Sequence, residues 1–352
     1  KSAREKCKHK RDESRRAQDT DPRGPPARPD LELLAPCHRP TTYTGPPAAR
    51  SDSTCVIDSF RKAAGPGNPS WQYARRGRHR KRRNVKLEIR YAALYRYQRP
   101  VTFSPHVFRL LPKIDQSLTL RSFSFRTNRD ASVMWRRDVF DNEVASVFYP
   151  TPSRCLEAKL RLRLEVREKN PFAFLLEALA LELPVRYTAD ETRALAPYCE
   201  TASVPALPFW RAPTSPLSTV DTLLALNRAL HDNLRYERRE EGPARSTAET
   251  LALGVAACRD FAVVLVDTLR QLGLAARFAS GYLCELGDAE KKAEGALHAW
   301  VEVYLPGAGW LGLDPTNGVL CGHHHLTAAV GAGPDDVSPV SGSYFHDEEV
   351  PH

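Results

Sequence analysis

The sequence predicts an α+β protein: an antiparallel β-sandwich over residues 85–190 precedes a mixed helical and stranded core over 216–352. A disordered basic tail over 1–84 comes before them, and a linker over 191–215 joins them. Two observations lead there. Apolar residues show almost no period up to residue 84, recur at every second position from 85 onward, and shift to helical spacing after the linker. At 352 residues and 42% hydrophobic content, the chain can bury two cores of ordinary size.

The tail is rich in Pro, Arg, Ser and Asp and offers too little apolar surface to offset the entropy of ordering itself. It also accounts for the net charge of +9: residues 1–84 hold 21 Lys and Arg against 9 Asp and Glu, while the remainder holds 30 against 33. A nucleic-acid partner is therefore not expected outside the tail. Within it, the run Arg75-Arg-Gly-Arg-His-Arg-Lys-Arg-Arg83 lacks interleaved aromatics and reads as a solvated charge run. The eight cysteines are scattered and form no Cys-x-x-Cys pair, so a reduced, cytoplasmic setting is expected. Neither a membrane span nor a signal peptide is expected.

Val85, Leu87, Ile89 and Tyr91 alternate with polar residues, and Leu160, Leu162, Leu164 and Val166 alternate with Arg161, Arg163, Glu165 and Arg167. Period two over that length predicts half-buried strands. Further strands are expected at 117–126 and 132–149, with Asp141-Asn142 marking a turn. Past the linker, Leu223, Leu226, Leu230 and Leu234 share one helical face behind a Ser218-x-x-Asp221 cap. Ser246-x-x-Glu249 opens a short helix that Gly254 ends, and a third helix starts at Cys258 with Phe261, Leu265, Leu269 and Leu272 as its buried stripe. Strands follow at 277–283, 298–305 and 309–314.

Cys258 at a helix start stands where unpaired N–H groups favour a thiolate. His298 opens a strand whose alternation puts His298, Trp300 and Glu302 on one face, at a place where the ring can serve the thiol as base and then acid. Asp314 ends the next strand, held extended by Pro315, and is a candidate to fix the imidazole tautomer. The plain alternatives are a core cysteine, a structural histidine and a turn-forming Asp-Pro.

In combination, the motifs resemble the transglutaminase-like superfamily, in the bacterial form with a β-sandwich before a papain-like core. The first domain contributes Tyr95-Arg-Tyr-Gln-Arg-Pro-Val, Ser104-Pro-His106 with Arg109-Leu-Leu-Pro, and Asn170-Pro-Phe-Ala-Phe. The second contributes Glu249-Thr-Leu-x-x-Gly254, Cys258-Arg-Asp-Phe-Ala, Arg277-Phe-x-Ser-Gly-Tyr-Leu, His298-Ala-Trp-Val-Glu-Val, Leu313-Asp-Pro-Thr-Asn-Gly and Asp336-Val-Ser-Pro-Val. The resemblance implies a Cys258, His298, Asp314 triad that passes an acyl group from an amide through a thioester to water or an amine. It implies a protein or peptide substrate, an amine as co-substrate, and no cofactor. Two departures stand out: Ala256 replaces a usual Gly two residues before the cysteine, where its methyl group would narrow the acyl pocket or alter the turn, and Gly331-Ala-Gly-Pro lacks a usual Arg.

The Cys258 N–H is the expected oxyanion donor, and Tyr236 is a candidate for the second. Cys321-Gly-His-His-His325 has no second ligand cluster at zinc spacing and reads as solvated loop, so no metal is expected. No calcium-loop pattern occurs. The rival reading from another class is a scaffold that kept the fold without turnover.

Overall fold

The computed structural model describes residues 84–211, 218–239, 242–284 and 297–345, together with the backbone of 51–60. Two sheets make the sandwich. One has the order β1 (Ser51–Phe60), β2 (Asn84–Phe103), β7 (Ser153–Arg167), β4 (Leu118–Thr127). The other contains β3 (His106–Phe108), β6 (Glu143–Phe148) and β5 (Ser132–Arg137) in that order. Every pairing between these strands is antiparallel.

The alternation read from the sequence decides which residues face inward. Leu156, Ala158, Leu160, Leu162, Leu164 and Val166 of β7 are all buried, while Lys159, Arg161, Arg163 and Arg167 face out. Each large side chain so buried contributes about 1.5–3 kcal/mol. On the outer face, Glu88 of β2 accepts from Arg90 at 2.7 Å, Arg161 at 2.9 Å and Arg163 at 3.2 Å, so the exposed arginines also tie β2 to β7. The expected turn between β5 and β6 has Asp141 at φ 60°, and Asp138 Oδ1 accepts from the Phe140 and Asn142 N–H groups.

The core follows after α1 (Ala189–Cys199). Its elements are α2 (Thr219–Asn233), β8 (Arg235–Tyr236), α3 (Thr247–Leu253), β9 (Val255–Ala256) and α4 (Cys258–Gln271). A five-stranded antiparallel sheet completes it in the order β13 (Val319–Leu320), β12 (Gly309–Asp314), β11 (Leu297–Leu305), β10 (Ala276–Leu283), β14 (His325–Gly331). Val301 and Val303 of β11 share one cluster with Phe261, Leu265 and Leu269 of α4, so the helix lies on one face of the sheet. Toward the sandwich, Tyr282, Cys284, Leu326 and Ala328 join the cluster that holds Ile89, Phe108 and Leu162. The Tyr282 hydroxyl donates to Leu110 O at 2.8 Å, and β10 and β14 thus help to close the interior of the sandwich.

Three boundaries differ from the sequence reading. Residues 51–60, expected to be disordered with the rest of 1–84, run beside β2 from Ser51↔Tyr95 to Phe60↔Lys86. A bare edge of β2 would leave a row of main-chain donors and acceptors open to pairing, and β1 fills it. The other residues of that tail, including the basic run to Arg83, lie outside the described residues. The expected linker begins inside α1, which Thr188 and Glu191 open with a reciprocal capping box. The core also does not keep the whole C-terminal stretch: β15 (Val340–Ser341) pairs with β3 and β16 (Tyr344–Phe345) pairs with β2. Among the described residues no helix is long and apolar enough to cross a membrane.

Gly281 of β10 stands against β14 beside a register shift at Ser280/Gly281. A Cβ there would stand 2.0 Å from Leu326 O and 2.8 Å from Ala328 N. Gly281→Ala is expected to cost about 1–3 kcal/mol or more and to lower the melting temperature by several degrees. Gly333→Ala, whose Cβ would meet only Asp336 Oδ2 at 3.7 Å, should leave it nearly unchanged. Thermal unfolding of the two variants checks the difference.

Candidate active site

α3 ends where Gly254 adopts φ 64°, a left-handed cap that turns the chain into β9. β9 lies parallel to β8, with Tyr236 opposite Ala256, and the Glu237 N–H donates to Ala256 O at 2.9 Å. Ala256 is wholly buried in the cluster with Leu223 and Phe261, and its φ is not positive. The methyl group that departs from the usual Gly is thus part of the core packing, and the turn does not require Gly.

Cys258 occupies the first position of α4, where its N–H has no acceptor within the helix. Ala257 before it has no side chain to cap with, and Asp260 Oδ2 takes the Ala257 N–H at 2.9 Å instead. Asp260 is fully buried. Its Oδ1 also accepts from Arg239 at 2.6 Å and from the Arg245 N–H at 2.8 Å. The segment after β8 is thereby strapped across the helix start, further held by Arg259 donating to Arg239 O at 2.8 Å.

His298 and Ala299 of β11 face the thiol: the imidazole and the Ala299 N–H both lie close enough to the sulfur to favour its thiolate. On the ring's other side, Nε2 lies 2.9 Å from Asp314 Oδ2. Nδ1 is the nitrogen left for the thiol. Trp300 is buried beneath, its ring 6.2 Å from that of His298 and inclined by 29°.

Asp314, with no exposed surface, is held by its own turn and by two histidines. Oδ1 accepts from the Thr316 N–H at 3.0 Å and the Asn317 N–H at 3.2 Å. Oδ2 accepts from Asn317 Nδ2 at 2.7 Å, from His298, and from His325 Nε2 at 3.0 Å. α2 braces the same turn, with Asn227 Nδ2 reaching Asp314 O at 3.3 Å and Val319 O at 3.1 Å, and His231 Nδ1 standing 2.8 Å from Thr316 O.

The structure therefore brings together all three residues singled out from sequence and adds His325, Asn317, Asn227, Asp260 and Arg239. His325 is a correction. The histidine run was expected to be solvated loop, yet His325 begins β14 opposite Leu283, and its side chain is 5% exposed. The signal for it was the apolar strand Leu326–Val330 directly behind it. Tyr236 is half exposed and close enough to Cys258 for the thiolate charge to bear on its phenol. Among the described residues, no group of three His, Cys, Asp or Glu side chains is arranged to hold a metal ion.

Charge follows from these contacts. Burial disfavours the Asp314 carboxylate, but the bonds from His298 and His325 outweigh it and hold the group far below the usual carboxylate range. Burial likewise opposes an imidazolium at His298, and the bonds to Asp314 and Cys258 override it, raising the pKa to about 10. Burial pushes the Cys258 thiol up, whereas His298, the Ala299 N–H and Arg259 pull it below its ordinary value. The surroundings of each partner thus favour its charged form.

Residues 209–315 match the transglutaminase-like superfamily and residues 87–165 the bacterial transglutaminase-like N-terminal region, together just over half of the chain. The protein belongs to the transglutaminase-like superfamily, whose core is a cysteine-based catalytic fold, here placed behind a bacterial-type N-terminal sandwich. An uncharacterized protein of Mycobacterium leprae is 38% identical over 89 residues, covering 25% of this chain and 31% of that protein. An uncharacterized protein of Mycobacterium tuberculosis is 31% identical over 144 residues, covering 39% and 45%. The chain thus spans less than half the length of these curated relatives. A solved candidate cysteine protease from Cytophaga hutchinsonii shares the fold at a TM-score of 0.55 and 17% identity, over 75% of this chain and 89% of that one.

The raised His298 pKa sets a sign for stability. Between about pH 6.5, where an unfolded histidine loses its proton, and about pH 10, the native state holds a proton that the unfolded chain has released. This contribution is complete below about pH 6.5 and is lost as pH rises toward about 10. Urea unfolding at a series of pH values should show the loss above about pH 8.5, where an unfolded cysteine has also released its proton and the lowered pKa of Cys258 no longer offsets that of His298, and His298→Gln should flatten that part of the curve.

Proposed function

We propose that this protein is a cysteine-dependent acyltransferase acting on amide bonds, with a protein or peptide as acyl donor. The observation that carries the reading is the Cys258 thiol facing His298, whose Nε2 is in turn 2.9 Å from the buried Asp314.

In this reading the Cys258 thiolate adds to the amide carbonyl and forms the C–S bond. Charge that develops on the carbonyl oxygen meets the unpaired Cys258 N–H at the start of α4, and Tyr236 is the second donor. Burial and the nearby thiolate raise the Tyr236 pKa, which keeps its O–H available. The tetrahedral adduct collapses as the imidazolium of His298 gives its proton to the departing nitrogen, leaving a thioester. The now neutral His298 takes a proton from an incoming amine or water, which attacks the thioester carbonyl and expels the Cys258 thiolate. Asp314 stays ionised throughout and holds the Nε2–H tautomer.

The full chain incubated with a glutamine-containing peptide, with and without a labelled primary amine, tests this by product mass. Amine incorporation marks transamidation, release of ammonia alone marks deamidation, and backbone cleavage marks a peptidase. Cys258→Ala should abolish all product, a loss of at least about 10³-fold. Product formed equally by Cys258→Ala, or none from any amide offered to the intact chain, would sink the proposal.

A further inference from the structure

Of the five hydrogen bonds that the Asp314 carboxylate accepts, three come from Thr316 and Asn317 of its own turn and move with it. The fourth is from His298, the group to be placed. The fifth, from His325, ties the carboxylate to β14, a strand that carries neither Asp314 nor His298. We propose that His325 is a positioning residue of the Cys258 site, anchoring the Asp314 carboxylate in the orientation in which Oδ2 meets His298. The inference rests on the Cys258–His298 pairing described above.

The surroundings of His325 fit a dedicated donor. Its side chain is 5% exposed, and Trp300 stands edge-on to it, with ring centroids 5.3 Å apart and an angle of 75°. Nδ1 is buried with no hydrogen-bond partner among the described residues. A buried nitrogen left in that state costs about 1–3 kcal/mol, so as packing alone an apolar side chain would serve better. What the ring supplies is the Nε2–H donated to Asp314, which must be the tautomer present because an ionised carboxylate only accepts.

Two effects follow for the thiol pair. His325 limits rotation of the carboxylate, which Oδ1 alone, bound to its own turn, does not. It also draws charge from the oxygen that His298 uses, moderating the pull of Asp314 on the His298 proton. The other titratable or charged groups facing the pair are Arg259 of α4, Tyr236 of β8 and, beside Asp314, Cys321. None of these donates to Oδ2, so removing His325 isolates its contribution.

Iodoacetamide labelling at Cys258, followed by peptide mass across pH on the full chain, tests the role without a substrate. His325→Phe should slow labelling at neutral pH by about 10-fold and displace the alkaline boundary of the thiolate–imidazolium pair by about half a pH unit. His325→Gln, whose amide nitrogen can reach the Nε2 position, should hold the rate within about 3-fold and leave the boundary in place. His325→Asn, with an amide too short to reach, should behave as His325→Phe, and the Gln and Asn variants give the same reading should the Phe variant fail to fold. Unchanged rate and boundary in His325→Asn, beside a perturbed profile in the unsubstituted chain, overturn the positioning role and leave the thiol pair standing. A free-thiol profile in the unsubstituted chain, with a midpoint near about 8.5, overturns the pair and this role together.

Discussion

A carboxylate without solvent is the constraint around which this molecule is arranged. Asp314 has no exposed surface, and an ionised group in that position costs several kcal/mol unless its lone pairs are all engaged. The chain meets that demand with donors from three places: the turn at 316–317, β11 and β14. Satisfying Asp314 therefore fixes the spacing of β12, β11 and β14 at one end of the sheet, and the histidine that faces the thiol is placed as part of the same solution. The geometry useful for chemistry and the geometry required to bury the charge coincide.

A second buried carboxylate does the corresponding work on the other side of the thiol. Asp260 caps α4 from its third position and holds Arg239 and the Arg245 N–H, so the start of the helix and the segment after β8 move as one. Cys258 sits between these two anchored acids. Neither acid touches it, yet between them they set where its sulfur and its N–H point.

Much of this was legible in the sequence. Strict alternation in β7 and the leucine face of α2 predict elements whose buried residues are the ones the structure buries, because periodicity is a local property. Cys258, His298 and Asp314 were visible because each is followed by a short motif of its own. His325 was hidden within a run of histidines that reads as loop; what buries it is the pairing of β14 with β10, a contact with Leu283 that no local pattern announces. α1 escaped because its residues lack an apolar stripe and include Pro197, although Thr188-x-x-Glu191 was there as its opening signal. β1, β15 and β16 owe their positions to open edges of sheets built elsewhere, which leaves little trace in the strands themselves.

The return of β15 and β16 to the sandwich gives the chain a closed topology. Arg109 donates to Ser341 Oγ at 3.0 Å across 232 residues of sequence, alongside the β15–β3 pairing. The sheet of β3 lacks a strand until residue 341 has left the ribosome, and by then the whole core has been made. The catalytic core is, in architectural terms, an insertion carried inside the sandwich, so cooperative unfolding of one is expected to open the other.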